Sequence, residues 1–204
     1  MIAIVDYGWG NIRAIANIYR RLNVAVSIAA SANDLRGADK VILPGVGAFD
    51  SAMQSLNESG MREPLEEVVV GARKPALGIC VGMQMLARRS DEGKLNGLGW
   101  IDGEVRRFDV SGFPNETHLP HMGWNDVRPR DSSDLFRDLA EESRFYFLHS
   151  YYFAPASPEY VLAETDYYGQ FTSSVRSQQI FGVQFHPEKS HQWGIKLLQN
   201  FAEL

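Results

Sequence analysis

The 204-residue chain has one cysteine, Cys80, so no internal disulfide is available and nothing points to an oxidising compartment. No apolar run approaches the ~20 residues that a membrane helix needs. The start, Met1-Ile2-Ala3-Ile4-Val5-Asp6, lacks the basic flank and cleavage pattern of a leader, and a cytoplasmic protein with no membrane partner is expected. Basic residues form no run longer than the Arg-Arg pairs at Arg20-Arg21, Arg88-Arg89 and Arg106-Arg107, and the net charge is −5, which argues against nucleic acid. Gly8-x-Gly10 and Gly45-x-Gly47 each follow a strand-like run, but Arg13 and Asp50 stand where a dinucleotide fingerprint has its third glycine. A G-x-x-x-x-G-K-[ST] phosphate loop is missing too. With no Cys-x-x-Cys or His-Glu-x-x-His and with scattered histidines, metal ligation finds no support, and no cofactor is expected. The sequons at Asn57 and Asn115 are read as chance matches.

What is present is a globular composition. Hydrophobic residues make up 45% of the chain, enough for the core of one domain spanning 1–204. The first half alternates strand-like runs (Ile2 to Val5, Val24 to Ile28, Lys40 to Leu43, Pro75 to Ile79) with helical ones (around Ile12 to Leu22, Ser51 to Asn57 and Pro64 to Val70). That order argues for an open parallel α/β sheet whose ligands sit at the carboxyl ends of the strands. From Leu98 onward, aromatic and β-branched runs separated by turns read as antiparallel strands: 100–105, 122–127, 145–149, 160–163, 171–175 and 180–185. A closing helix over 190–204 carries Trp193, Leu197, Leu198, Phe201 and Leu204 on one face. The expected fold is a mixed, mainly parallel sheet flanked by helices, with antiparallel additions in the second half.

The chemistry gathers at Gly78-Ile79-Cys80-Val81-Gly82. A buried strand runs into it and a helix over 82–89 is expected to leave it, so Cys80 sits at a sharp strand-to-helix turn that flanking glycines make possible. Unpaired N–H groups and the positive helix end there favour the thiolate, the reactive form. Of the histidines His118, His121, His149, His186 and His191, one has an acid placed to orient it: Phe185-His186-Pro187-Glu188. Proline biases His186 toward extended backbone, and residues i and i+2 of an extended chain share a side, so Glu188 can fix the tautomer while the other ring nitrogen faces sulfur. His149, inside an aromatic strand, reads as a hydrogen-bonded core or interface residue. Pro44-Gly45-Val46-Gly47, at another strand end, can aim backbone N–H groups at a developing oxyanion or can simply end its strand.

Together these motifs resemble the class I (triad) glutamine amidotransferases. Asp6-Tyr7-Gly8, Gly10-Asn11, Pro44 to Phe49, Gly78-Ile79-Cys80, Pro120 to Asn125 and His186 to Ser190 are similar to the glutaminase subunits of imidazole glycerol phosphate synthase, over nearly the whole chain. The resemblance implies glutamine hydrolysis, with ammonia passed to a (β/α)8-barrel cyclase subunit in a heterodimer of histidine biosynthesis. It implies Cys80 as nucleophile, His186 as base and Glu188 as its orienter. It places the oxyanion donors at Val81 and, after loop rearrangement, at Val46 with Gly47. It gives the glutamine site as Gln84 and Glu92 with Gly45, Ser150 and Tyr151, and a partner face of Asn11, Trp124, Tyr146 and Lys189. Trp9 and Val81 depart from the methionine and leucine expected there; Val81 would act through its backbone, whereas Trp9 lies near the expected partner face.

Other functions fit parts of the pattern. A paralogous subunit could supply ammonia for an amidino sugar of surface polysaccharides, toward which the run Phe145 to Phe153 and the stretch His191-Gln192-Trp193-Gly194 lean. A silent scaffold that only docks a barrel would not need Cys80, His186 and Glu188. A stand-alone cysteine hydrolase would work without any partner.

Overall fold

The computed structural model describes residues 1–112, 119–130, 133–139 and 143–204; His118 and Asn115 lie outside them. In chain order the first half runs β1 (Ile2–Val5), α1 (Ile12–Arg21), β2 (Val26–Ala29), α2 (Ala32–Arg36), β3 (Lys40–Gly45), α3 (Phe49–Glu58), α4 (Arg62–Glu66), β4 (Ala76–Cys80) and α5 (Val81–Gln84). The second half runs β5 (Gly103–Arg107), β6 (His121–Asp126), β7 (Arg128–Pro129), β8 (Arg144–His149), β9 (Tyr151–Pro155), β10 (Val161–Asp166), β11 (Gln170–Ser177), β12 (Ile180–Val183) and α6 (His191–Glu203).

Eight strands form one sheet in the order β2-β1-β3-β4-β12-β11-β10-β7, and β5–β9 and β6–β8 form two antiparallel pairs beside it. The mixed, mostly parallel sheet matches the expected class. One strand does not follow the late-antiparallel expectation: β12 runs parallel to β4, with Gly182 opposite Gly78, and antiparallel only to β11. That parallel pairing carries the chain beyond β12 to the same sheet end as Cys80.

Burial follows from the periodicities. Ile15, Ala16 and Tyr19 of α1 and Leu197, Leu198 and Phe201 of α6 are fully buried, and the Tyr19 hydroxyl donates to Leu198 O at 3.1 Å. Each such large apolar side chain contributes roughly 1.5–3 kcal/mol on burial. Leu204 falls off that face and is exposed. The short α2 has no counterpart among the expected elements; it starts where Asp34 accepts hydrogen bonds from the Ser31 N–H and hydroxyl.

The turn at Cys80 has φ 55° and ψ −113°, a left-handed excursion that costs a non-glycine residue. Its neighbours allow it. A Cβ on Gly82 would lie 1.9 Å from Leu43 O, and one on Gly78 would lie 2.7 Å from Gly82 O, so the first turn of α5 rests directly on the backbones of β3 and β4. The helix expected over 82–89 stops at Gln84. Its next carbonyls are taken from outside: Leu98 N–H donates to Met85 O, Ile101 N–H to Leu86 O and Gly99 N–H to Ala87 O. Those bonds end the helix because each carbonyl meets a loop amide instead of the following turn.

Gly82→Ala is expected to destabilise the protein by about 1–3 kcal/mol or more through overpacking against Leu43. Gly37→Ala, at φ −87° with no atom within 4 Å of the added carbon, is expected to be neutral or slightly stabilising. Urea unfolding of both variants checks the contrast; equal midpoints would contradict the close contact at the elbow.

Candidate active site

Three segments converge at the carboxyl ends of β3, β4 and β12. β4 brings Cys80; the chain after β12 brings His186, and a 3-10 turn over Pro187–Lys189 brings Glu188. His186 is extended, as its proline neighbour requires, at φ −101° and ψ 95°. Glu188 lies inside the 3-10 turn, so the pair meets across a turn rather than along an extended run. Even so, His186 Nδ1 is 2.8 Å from Glu188 Oε1, both side chains are almost fully buried, and the imidazole lines the same cavity as Cys80, close enough to feel its charge.

The electrostatics are those of a buried charge relay. Burial alone would depress the His186 pKa. The charge and hydrogen bond of Cys80, then the hydrogen bond and charge of Glu188, raise it instead to about 10. Burial likewise opposes the Glu188 carboxylate, but His186 and the Asn11 amide hold its pKa below the usual range. Asn11 Nδ2 donates to Glu188 Oε1 at 2.7 Å, so this residue, read from resemblance as part of a partner face, turns its amide onto the acid. The helix behind Cys80 is a single turn, which leaves little macrodipole.

A cavity of about 530 Å³ opens beside these groups. Cys80, Val81, His186, Val46 and Gly47 line one side, and Gln84, Glu92, Ser150 and Tyr151 line it with them, as do Asn11 and Lys189 at its edge. Gly45 is not on this wall. It is buried behind it, where a Cβ would meet Gly82 N at 2.5 Å, so it packs the elbow and offers no surface to a ligand. Trp124 and Tyr146 are also outside the cavity: Tyr146 lies under Lys189 Nζ, 5.6 Å from the ring centroid, and Trp124 meets Tyr146 edge-on at 6.2 Å. Tyr146 O also accepts from His186 N at 2.9 Å, which ties β8 to the histidine.

The loop after β3 is held at both ends. The Tyr7 hydroxyl donates to Pro44 O at 2.6 Å, and burial followed by the Cys80 charge keeps that phenol protonated. Phe49 N–H donates to Glu92 Oε2 at 2.8 Å. Between them Gly47 has φ +78°, and the Trp9 ring lies 2.8 Å from where its Cβ would be, with Trp9 Nε1 donating to Ser55 Oγ at 2.7 Å. Trp9 therefore packs inward on this loop.

Residues that the sequence did not single out also reach the site. Gln184 is fully buried, with its amide 3.8 Å from Cys80 Sγ; lying two residues before His186 in a run entering from a strand, it shares that residue's side. His149 is buried and hydrogen-bonded, as its strand setting implied, to His121 and to Tyr151 O.

Comparisons with known proteins follow this geometry. The model of the class-I glutamine amidotransferase family matches residues 3–204. The subunit HisH of imidazole glycerol phosphate synthase from Bdellovibrio bacteriovorus is 57% identical, covering 100% of both chains. The chain belongs to the HisH family of class-I glutamine amidotransferases. HisH of Leptospira borgpetersenii and HisH 2 of Pseudomonas aeruginosa are 45% and 46% identical, again across 100% of each chain. At the level of fold, a solved glutamine amidotransferase covers 100% of both chains at TM-score 0.76 with 19% identity. Another, from Thermotoga maritima, covers 99% of this chain and 82% of its own at TM-score 0.66 with 16% identity. As a HisH-family chain the protein is a glutamine amidotransferase subunit of imidazole glycerol phosphate synthase. Among the described residues, no helix is long and apolar enough to cross a membrane.

In labelled protein the His186 ring is expected to titrate near pH 10. Cys80→Ser removes the largest raising charge and Glu188→Gln the next, so each should lower that pKa, the first more than the second. Histidine NMR against pH measures both; an unmoved His186 in either variant would contradict the relay.

Proposed function

We propose that the chain, as one amidotransferase domain over 1–204, hydrolyses glutamine through Cys80, His186 and Glu188 and delivers the ammonia to a (β/α)8-barrel cyclase partner. The observation that supports this most directly is His186 set between the Cys80 sulfur and Glu188 Oε1 on the wall of a cavity that also holds Gln84 and Glu92. The Cys80 thiolate attacks the side-chain amide carbon of glutamine. The Val81 N–H, and a Val46 or Gly47 N–H after the loop turns, receive the oxyanion. His186 protonates the departing ammonia and then, as base, activates the water that releases glutamate from the thioester. Gln84 and Glu92, with the backbone at Ser150 and Tyr151, hold the substrate.

Ammonia that escapes into water becomes ammonium and is no longer nucleophilic, so the product has to pass directly to an acceptor site. The edge of the cavity suits a docking partner. On β6 and β8 the cross-strand pairs Met122–Leu148 and Trp124–Tyr146 include three exposed apolar side chains: Met122 at 66%, Trp124 at 39% and Leu148 at 38%. Leu148 and Lys189 line the cavity itself, so a partner seated on this face lies over its mouth. With that partner the reading is a cytoplasmic heterodimer forming imidazole glycerol phosphate and AICAR in histidine biosynthesis. The aromatic run that leans toward sugar amidination does not distinguish the two pathways, because Phe145, Phe147 and Phe153 are buried in the core.

An electrophilic glutamine analogue is expected to label Cys80 alone, and Cys80→Ala and His186→Ala to abolish turnover, with Glu188→Gln milder. Mass spectrometry and a coupled glutamate assay measure these; full activity in Cys80→Ala would overturn the reading. The purified chain should be nearly silent, and a barrel cyclase with its acceptor ligand should raise kcat by orders of magnitude. Loss of one oxyanion donor alone is worth about 10²–10³ in kcat. Lys189→Ala should reduce that stimulation while leaving Cys80 open to a small alkylating agent. Brisk partner-independent activity would favour the stand-alone hydrolase.

A further inference from the structure

A chain of buried amides and imidazoles crosses the site, and its hydrogen-bond senses are fixed by elimination. Tyr151 O can only accept. Gln84 Nε2 donates to it at 3.1 Å, and the same amide nitrogen lies 3.1 Å from Gln184 Oε1. Both N–H bonds of Gln84 are thereby spent on acceptors. Gln184 must then present its oxygen to Gln84, and its own Nε2 faces Cys80 Sγ at 3.8 Å. The opposite rotamer would set oxygen against the sulfur and amide against amide, which leaves buried donors unmatched.

The carbonyl at the centre of this chain is held from its other side. His149 Nδ1 is 2.8 Å from Tyr151 O, so that nitrogen carries the proton. His149 Nε2 then accepts from His121 Nδ1 at 3.1 Å, and His121 Nε2 accepts from Asn125 Nδ2 at 3.3 Å. Burial lowers the pKa of His121 to about 4, and burial with the nearby His121 lowers that of His149 to about 3, so both rings stay neutral and each has one N–H to place. His121 is clamped between the Phe147 and Tyr167 rings at 4.7 and 3.9 Å. Tyr151 O thus takes one donor from each side and cannot rotate without breaking both.

Resting on the glutaminase reading above, we infer that Gln184 is a further catalytic residue: its carboxamide, aimed by Gln84 and the pinned Tyr151 carbonyl, donates to the Cys80 sulfur and favours the thiolate. His149 and His121 are positioning residues for that carbonyl. The inference answers a need left by the fold, since one turn of helix offers the sulfur little macrodipole. A buried neutral N–H meets that need, because it stabilises the anion without adding a charge that would compete with His186 for Glu188.

The test compares wild type with Gln184→Met, which keeps the volume and loses the donor, and Gln184→Glu, which keeps the shape and sets an acceptor there. Iodoacetamide alkylation of Cys80 is timed in the purified chain, and kcat and KM for glutamine are measured with the barrel cyclase bound. A lost hydrogen bond to a charged group should slow alkylation and kcat by roughly tenfold or more in Gln184→Met, and further in Gln184→Glu. His149→Leu, which frees the Tyr151 carbonyl and so loosens Gln84 and Gln184 together, should slow alkylation and kcat in the same direction but less than Gln184→Met. Wild-type alkylation and kcat in Gln184→Met, with only KM changed, would overturn the inference and leave Gln184 as a support for Gln84. Should the variants not fold, the wild-type Gln184 side-chain amide signal is followed by NMR; its failure to shift when Cys80 is alkylated overturns the inference equally. Full activity in Cys80→Ala would instead sink the glutaminase reading, so the two failures are separable.

Discussion

The backbone contact between Gly82 and Leu43 O, too close for any side chain, is the constraint from which the site follows. It seats the first turn of α5 on β3 and β4 and forces Cys80 into its left-handed conformation. Val81 and the loop residues Val46 and Gly47 line the same cavity as Cys80. Close-packed backbone of this kind is rigid because no rotamer change can relax it. The strain at Cys80 is borne by the parallel sheet, where β4 is paired on both edges, with β3 and with β12.

A second requirement is electrostatic. Cys80, His186 and Glu188 are all buried, and isolated charges there would be prohibitively costly. The cost is met by mutual pairing and by neutral amides arriving from distant parts of the chain. Asn11, just before α1, binds the carboxylate, and the Ser190 hydroxyl donates to His186 O at 2.6 Å and accepts Tyr146 N–H at 3.0 Å. The bonds from Tyr146 and Ser190 that support the histidine also reach the rim on which β6 and β8 expose their apolar row. The triad's histidine and this exposed apolar row therefore share one set of hydrogen bonds.

Much of this is legible in the residues. The elbow and its glycines are local patterns whose geometry is set within a few residues; the pairing of His186 with Glu188 is local too, although it is made across a 3-10 turn and not along the extended run expected. The alternating first half and the amphipathic α1 and α6 are equally readable. What escapes depends on contacts between distant segments. Helix α5 stops early because the loop at 98–101 claims its carbonyls, and nothing in residues 82–89 announces that. β12 has the composition of its antiparallel neighbours but takes its direction from β4, a choice made by strand order. The bond from Asn11 to the acid and the approach of Gln184 to the sulfur are invisible in the sequence because the partners lie 177 and 104 positions away. Gln184 does leave one signal, its place two residues before His186 on the same side of an extended run.

The loop carrying Val46 is anchored at Pro44 by Tyr7 and at Phe49 by Glu92, with the Trp9 ring against Gly47. Both ends of the segment are thereby tied to other parts of the chain, one to the loop after β1 and the other to the loop after α5. The indole occupies the space that a side chain at position 47 would need, so any residue larger than glycine there would have to displace a ring that Ser55 holds in place.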